Sequence, residues 1–115
     1  MHEISLVRTI LSNLEAEFTP EDLACLKSIK LKVGLLSNVE PILMQNAFDA
    51  VTSAEGRFVG VELNIELVPI IIHCKNCSSA SHIQHYKFIC ANCGKPCNNL
   101  ISGTELHIHQ LQFEE

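Results

Sequence analysis

Two Cys-x-x-Cys pairs, Cys74/Cys77 and Cys90/Cys93, are separated by twelve residues in the stretch from His73 to Cys97. A Cys-x-x-Cys knuckle turns the backbone so that both sulfurs face one point, and two knuckles on a hairpin close a tetrahedron of four thiolates around Zn2+. The twelve-residue span suits two short strands and a turn. Its only large apolar residues are Ile83, Tyr86, Phe88 and Ile89, so its folding energy has to come largely from the metal. Apparent zinc-binding energies of roughly 10–16 kcal/mol at neutral pH can supply that. Four thiolates complete the coordination shell, so the expected site is structural rather than catalytic.

Two other uses of the cysteines compete. Paired disulfides need an oxidising compartment, and no charged segment followed by an apolar one stands at the start of the chain to direct it there. A redox function needs only one Cys-x-x-Cys, beside a strand–helix unit. The spacing favours structural zinc over both. Cys97 is then a fifth cysteine near the site, expected as a free thiol because four sulfurs suffice, and Cys25 is expected as a small buried apolar residue.

With 115 residues, 47% of them hydrophobic, the chain can bury one modest core plus a metal-held hairpin, but not two ordinary domains. No apolar run approaches the roughly 20 residues of a membrane span. Six cysteines without a leader fit metal or free thiols, which leads to the expectation of a soluble cytoplasmic protein. The formal charge is −5, but residues 73–97 hold Lys75, Lys87 and Lys95 and no acid, leaving −8 for the rest. Neither part has the charge of a polyphosphate binder.

In chain order, Ile4, Val7, Leu11, Leu14 and Phe18 fall at helical spacing, widened by Ile10, and predict an amphipathic helix over about 3–18. Arg8, Glu15 and Glu17 are its only charges beyond Glu3; core packing explains the stripe, with a partner surface as the other use. Thr19-Pro20-Glu21-Asp22 predicts a short second helix. Ile29, Leu31, Val33 and Leu35 alternate with Lys30, Lys32 and Gly34, a strand with one wet face to which Lys27 also contributes. Glu40-Pro41 starts the next helix, 41–55, with Leu43, Ala47, Phe48 and Val51 inward and Gly56 as its stop. A strand over 60–72 alternates from Val61 to Leu67, and Pro69 puts an edge or bend in it. The last strand, Thr104 to Phe113, slips phase between Ile108 and Leu111.

The fold class is therefore α+β: a small three-stranded mixed sheet with two helices on one face, plus an inserted zinc-ribbon-like hairpin. Strands 28–36 and 60–72 run parallel if adjacent, because a helix crosses between them, and the last strand pairs antiparallel with one of them. Residues 1–72 and 98–115 make the α/β domain and 73–97 the inserted zinc-binding domain.

The amino terminus is the second chemical feature. Met1-His2-Glu3 offers an α-amine, amide nitrogens, an imidazole and a carboxylate within three residues. Fused chelate rings through deprotonated amides favour a square-planar ion, Ni2+ or Cu2+ rather than Zn2+. Residue chemistry alone favours a plainer reading, in which His2 is solvated and Glu3 complements the helix dipole. His107 and His109 share one face of the last strand and could form a two-imidazole site, although exposed strand histidines suffice to explain them.

Met1-His2-Glu3-Ile4-Ser5-Leu6, Val39-Glu40-Pro41, the alternating strand 61–67, the four knuckle cysteines and Gly103-Thr104-Glu105-Leu106 together resemble the HypA/HybF family of hydrogenase-maturation nickel chaperones, over essentially the whole chain. The resemblance implies a nickel-binding α/β domain with an inserted zinc domain. Zn2+ would be structural, and Ni2+ would be a cargo delivered to the nickel–iron hydrogenase large-subunit precursor with a HypB-type GTPase, with urease served in some organisms. It implies His2 as principal nickel ligand with Glu3 beside it and Glu40 as an assisting acid, to which the donor chemistry above adds the Met1 amine. Homodimerisation is left open.

Where some family members carry a histidine after each Cys-x-x-Cys, Ser78 and Gly94 stand here, with His73, His82 and His85 nearby. Four persistent thiolates are the expectation, and ligand switching is the weaker reading. A zinc ribbon binding RNA or a protein complex is the alternative function. It would need a basic surface with stacking aromatics, and three lysines with Tyr86 and Phe88 are all the hairpin offers. No nucleophile, base and orienting acid fall at a recognisable spacing, so no enzyme is expected.

Overall fold

The computed structural model describes residues 3–114. Helix α1 (Glu3–Glu17), short helix α2 (Pro20–Ala24) and strand β1 (Leu26–Gly34) are followed by helix α3 (Pro41–Glu55) and strand β2 (Glu62–Val68). Four more strands complete the chain: β3 (Ile71–His73), β4 (Ala80–His82), β5 (Leu100–Ser102) and β6 (Leu106–Phe113). They form two three-stranded sheets, ordered β2-β1-β6 and β4-β3-β5. The α+β class, the small three-stranded sheet and the cysteine module agree with the sequence reading.

The chain divides into two compact units, 1–31 with 39–66 and 108–115, and 32–38 with 67–107; the segment 73–97 falls inside the second. In the first unit, α1 and α3 pack against each other. Val7, Leu11 and Leu14 are the buried residues of α1, one face at helical spacing. On α3 the buried set is Met44, Ala47, Phe48 and Val51, so Met44 takes the place expected for Leu43, which is exposed. Leu43 and Met44 are adjacent, and an apolar pair at that position leaves the helix rotation undecided by about 100°. Pro41 occupies the first turn, and Gly56 ends the helix with φ +63° in the left-handed region that glycine adopts without strain.

Thr19 caps α2 as expected, its hydroxyl accepting from Asp22 N–H at 3.1 Å. Cys25 is a correction: it is exposed at the end of α2, where the backbone turns into β1, rather than buried. Phe18 stacks at a tilt on Phe113, with ring centroids 5.5 Å apart. Arg57 donates to Glu15 at 2.6 Å and to Glu55 at 2.9 Å, and Arg8 donates to Glu55 at 2.8 Å, so Arg8 and Glu15 belong to an ion network tying both helices to the residue after Gly56.

Strand β1 buries Ile29, Leu31 and Val33 completely, the expected alternation. It ends two residues before the expected 36: Leu35 is exposed, and Leu35 N–H donates to Val68 O at 3.1 Å. Strand β6 runs antiparallel to β1, with Gly34 N–H donating to Glu105 O toward one end and Glu114 N–H to Cys25 O toward the other. Its exposure pattern puts His109 and Gln110 out in succession, which is the phase slip read from the sequence.

In the second unit, Pro69 breaks the expected strand 60–72 into β2 and β3, which lie in different sheets. Strand β3 is central, pairing antiparallel with β4 (Ile72↔Ser81) and β5 (Ile71↔Ser102). Ile70, Ile72 and Ile83 are its buried cluster, with Leu36, Phe88 and Cys97 packed against it. Gly34 sits where a Cβ would come within 2.1 Å of Gly103 O, so no side chain fits at that approach.

Candidate metal centre

The two knuckles are built alike. Cys74 N–H donates to Ser79 O and Ser78 N–H to Cys74 O; sixteen residues later Cys90 N–H donates to Lys95 O and Gly94 N–H to Cys90 O, at 2.7–2.9 Å throughout. Each loop turns through a residue in the left-handed region, Ser78 at φ +62° and Gly94 at φ +76°. Glycine reaches that conformation freely, whereas serine does so against its Cβ. The position that follows each Cys-x-x-Cys is thus the one the turn geometry uses.

The result is that the four sulfurs of Cys74, Cys77, Cys90 and Cys93 all lie within 4.8 Å of one another. Cys74 Sγ is 3.7 Å from Cys93 Sγ, and Cys77 Sγ is 3.5 Å from Cys90 Sγ. A tetrahedron with Zn–S bonds of about 2.3 Å has edges of about 3.8 Å, so the arrangement matches four-thiolate coordination. Cys93 N–H points at Cys90 Sγ (3.5 Å), the kind of donor that stabilises a ligated sulfur. Cys74 and Cys90 are buried and Cys77 and Cys93 partly so.

The thiols are unequal. The Cys77 amide pulls Cys74 down, yet burial and the neighbouring Cys93 and Cys77 sulfurs outweigh it and leave Cys74 pushed up to about 11. Hydrogen bonds from Asn92 and Ser79 draw Cys77 down to about 6, and the Cys93 amide lowers Cys90. Thiols this close cannot all become thiolates without a cation among them. Binding a metal therefore releases protons and strengthens as pH rises.

Sequence reasoning missed Ser81. It is buried in β4, and its hydroxyl accepts Ala91 N–H at 3.0 Å while lying 4.0 Å from Cys90 Sγ, so it bolts the second knuckle to the sheet. An alternating Ala-Ser-His between the knuckles was the available signal, but three residues are too short a run to read as a strand. The group of four contains none of His73, His82 and His85. Cys97 Sγ is 3.2 Å from His73 O, and packs beside the isoleucine cluster.

Among the described residues these cysteines are the one group of three or more potential metal ligands. Met1 and His2 lie outside the described residues. Glu3 begins α1 half-exposed, and Glu40 is the exposed N-cap of α3, with no capping bond from its carboxylate. His107 and His109 are both exposed on β6.

A family model described as hydrogenase/urease nickel incorporation, metallochaperone, HypA, matches residues 1–113. The chain belongs to the HypA family. A HypA described as a hydrogenase maturation factor, from Desulfitobacterium hafniense, is 34% identical over 116 residues, covering the whole of both chains. Another, from Shewanella baltica, is 30% identical over 115 residues, all of this chain and 97% of the relative. The solution structure of the nickel metallochaperone HypA from Helicobacter pylori superposes with a TM-score of 0.63 at 21% identity, covering 99% of this chain and 98% of that one. A second HypA solution structure gives 0.68 at 19% identity, covering 98% and 96%. These two show that the fold is shared. HypA proteins are metallochaperones in hydrogenase maturation and not enzymes, and the cysteine cluster is of a kind that could hold a metal such as zinc. Among the described residues no helix is long and apolar enough to cross a membrane.

Proposed function

We propose that this chain binds Ni2+ through Met1, His2 and Glu3, with Glu40 assisting, and delivers it to the nickel–iron hydrogenase large-subunit precursor in the cytoplasm together with a HypB-type GTPase. The observation that carries the reading is the family match beginning at residue 1, on a chain that opens Met-His-Glu. The α-amine, backbone amides and imidazole supply nitrogen donors in consecutive chelate rings, a set suited to a square-planar ion. Glu40 supports it as a carboxylate that its own helix leaves unused. Ligands at a free terminus can be approached by an acceptor without unfolding the carrier, which suits a cargo that must be released. Urease is a second recipient suggested by the family's description.

Zn2+ is the ion we assign to Cys74, Cys77, Cys90 and Cys93, because four sulfurs at tetrahedral spacing leave no open position for cargo. In this reading 1–72 with 98–115 is the nickel-binding domain and 73–97 the zinc-binding insertion.

Calorimetric titration of Ni2+ into zinc-loaded protein tests it. Both His2→Ala and a chain with one residue added before Met1 should lose nickel binding while retaining one zinc. Unchanged nickel binding by the His2 variant would falsify the ligand assignment.

A further inference from the structure

The small sheet β4-β3-β5 gives one face to the core of its unit: Ile72 of β3 and Ser81 of β4 lie opposite each other and are buried. Side chains alternate along a strand, so the flanking pairs, Ile71 with His82 and His73 with Ala80, point to the other face. The ladder bonds run from Cys74 N–H to Ser79 O and from Ile83 N–H to Ile70 O. Both flanking pairs are therefore of the non-hydrogen-bonded kind, whose side chains lie closer together. His73 and His82 are diagonal neighbours on that face, and the right-handed twist of the pair shortens this diagonal of the two. Ala80, opposite His73, leaves room beside the ring.

We propose that His73 and His82 together bind a second divalent ion of the Zn2+ class, separate from the four cysteines and from the amino terminus. Both rings are available for it. The contacts of His73 run through its backbone: Cys97 Sγ and Asn99 Nδ2 donate to its carbonyl, and its N–H donates to Asn99 O. These bonds fix the strand and leave the imidazole free. Among the described residues neither imidazole has a hydrogen bond or an ion pair, and His82 is exposed. A neutral imidazole without a partner presents its ring-nitrogen lone pair to a metal. Zn2+ takes such nitrogens at about 2.0–2.1 Å in a tetrahedron, and no backbone amide is at hand to impose the square-planar geometry of Ni2+ or Cu2+. Charge favours the site as well. Four thiolates outweigh one divalent ion, so the loaded cluster that begins at Cys74 is negative, and Lys75, Lys87 and Lys95 all lie outside β3 and β4. No third ligand of the described residues completes a group with the two histidines, so the remaining positions fall to water. An ion held in that way passes to another ligand without unfolding the sheet, whereas the cysteine site is closed. The inference goes beyond the readings above and takes from them only the charge of the zinc-loaded cluster.

The test is calorimetric titration of Zn2+ into the full chain already carrying one zinc, with native mass spectrometry counting the ions. Zn2+ is the probe because chelation through amino-terminal amides disfavours it. The wild type should bind one further ion per chain. His73→Ala and His82→Ala should each weaken that second binding by roughly tenfold or more while keeping the first zinc, and His85→Ala and His109→Ala should stay within about twofold. Adding Ala80→His to the His82→Ala chain sets a ring directly opposite His73 and should restore the binding. Absence of a second ion in the wild type, wild-type affinity in His82→Ala, equal loss in His109→Ala, or no restoration by Ala80→His overturns the proposal. Half an ion per chain with a dimer in sedimentation overturns it too, because the ligands are then shared between copies. Failure of the zinc reading shows separately, as a first ion that Cys77→Ser retains, and leaves the histidine comparison standing.

Discussion

The helical unit buries Val7, Leu11, Leu14, Leu26, Ile29, Leu31, Met44, Ala47, Phe48, Val51 and Leu63, whereas the cysteine-bearing unit buries Val33, Ile70, Ile72 and Ile83 beside the sulfurs of Cys74 and Cys90. The first has an ordinary apolar core spread over two helices and a sheet. The second has short three-residue strands and a small isoleucine cluster, and long stretches of it lie in turns held by single hydrogen bonds. A core of that size cannot offset the entropy of ordering the knuckles. In the zinc reading proposed above, one unit is held by burial and the other by its metal, and a change that removes one kind of support should leave the other unit standing.

The largest effect belongs to the metal. Cys77→Ser removes one of four thiolates, and zinc-site energies of roughly 10–16 kcal/mol make the loss decisive for residues around the cluster. Zinc content should fall from one per chain to a small fraction, and the amide signals of 71–102 should collapse in NMR spectra while those of α1 and α3 persist. The converse is Met44→Ala, which empties a completely buried site on α3. It should cost about 2–5 kcal/mol of global stability in urea unfolding, with zinc stoichiometry unchanged. Equal zinc loss in both variants would break the comparison.

Two smaller changes sharpen it. Ser78 holds φ +62° where the matching turn of the second knuckle has Gly94. Ser78→Gly should relieve strain and stabilise the zinc-loaded form by up to about 1 kcal/mol, the cost of the left-handed region less glycine's added chain entropy, read as slower zinc loss to a chelator. Glu105 is the mildest. Its carboxylate accepts Gly103 N–H at 2.7 Å, and that bond holds it below the usual carboxylate range. A folded value lower than the unfolded one adds stability that is complete above the unfolded pKa, near 4.3, and lost as pH falls through the lowered folded value. Glu105→Gln should therefore be slightly less stable at neutral pH and show a shallower decline between about pH 5 and 3 in acid unfolding.

What the sequence made legible follows from how local each signal is. The knuckles were readable because two residues of spacing fix each pair of sulfurs, and Gly56 and Pro41 because each restricts its own backbone. The alternation of Ile29, Leu31 and Val33 gave β1 and its buried face. Rotation of α3 was not legible, because Leu43 and Met44 are interchangeable in a hydrophobic pattern and only the packing partner chooses between them. Strand β5 was hidden because its three residues gain their place from β3, nearly thirty positions earlier. Ser81 was hidden for the same reason: its bond to Ala91 exists only once the two knuckles have been brought together. The amino-terminal chemistry was legible as donors, and its assignment to nickel came from resemblance.

Hydrogen exchange on the full chain, before and after zinc is withdrawn with a chelator, tests the division of support most directly. Protection should vanish from the amides of Ile72, Cys74, Ile83 and Cys90 and survive in Leu11, Leu31 and Phe48. Uniform loss across both sets, or protection retained in both, would contradict it.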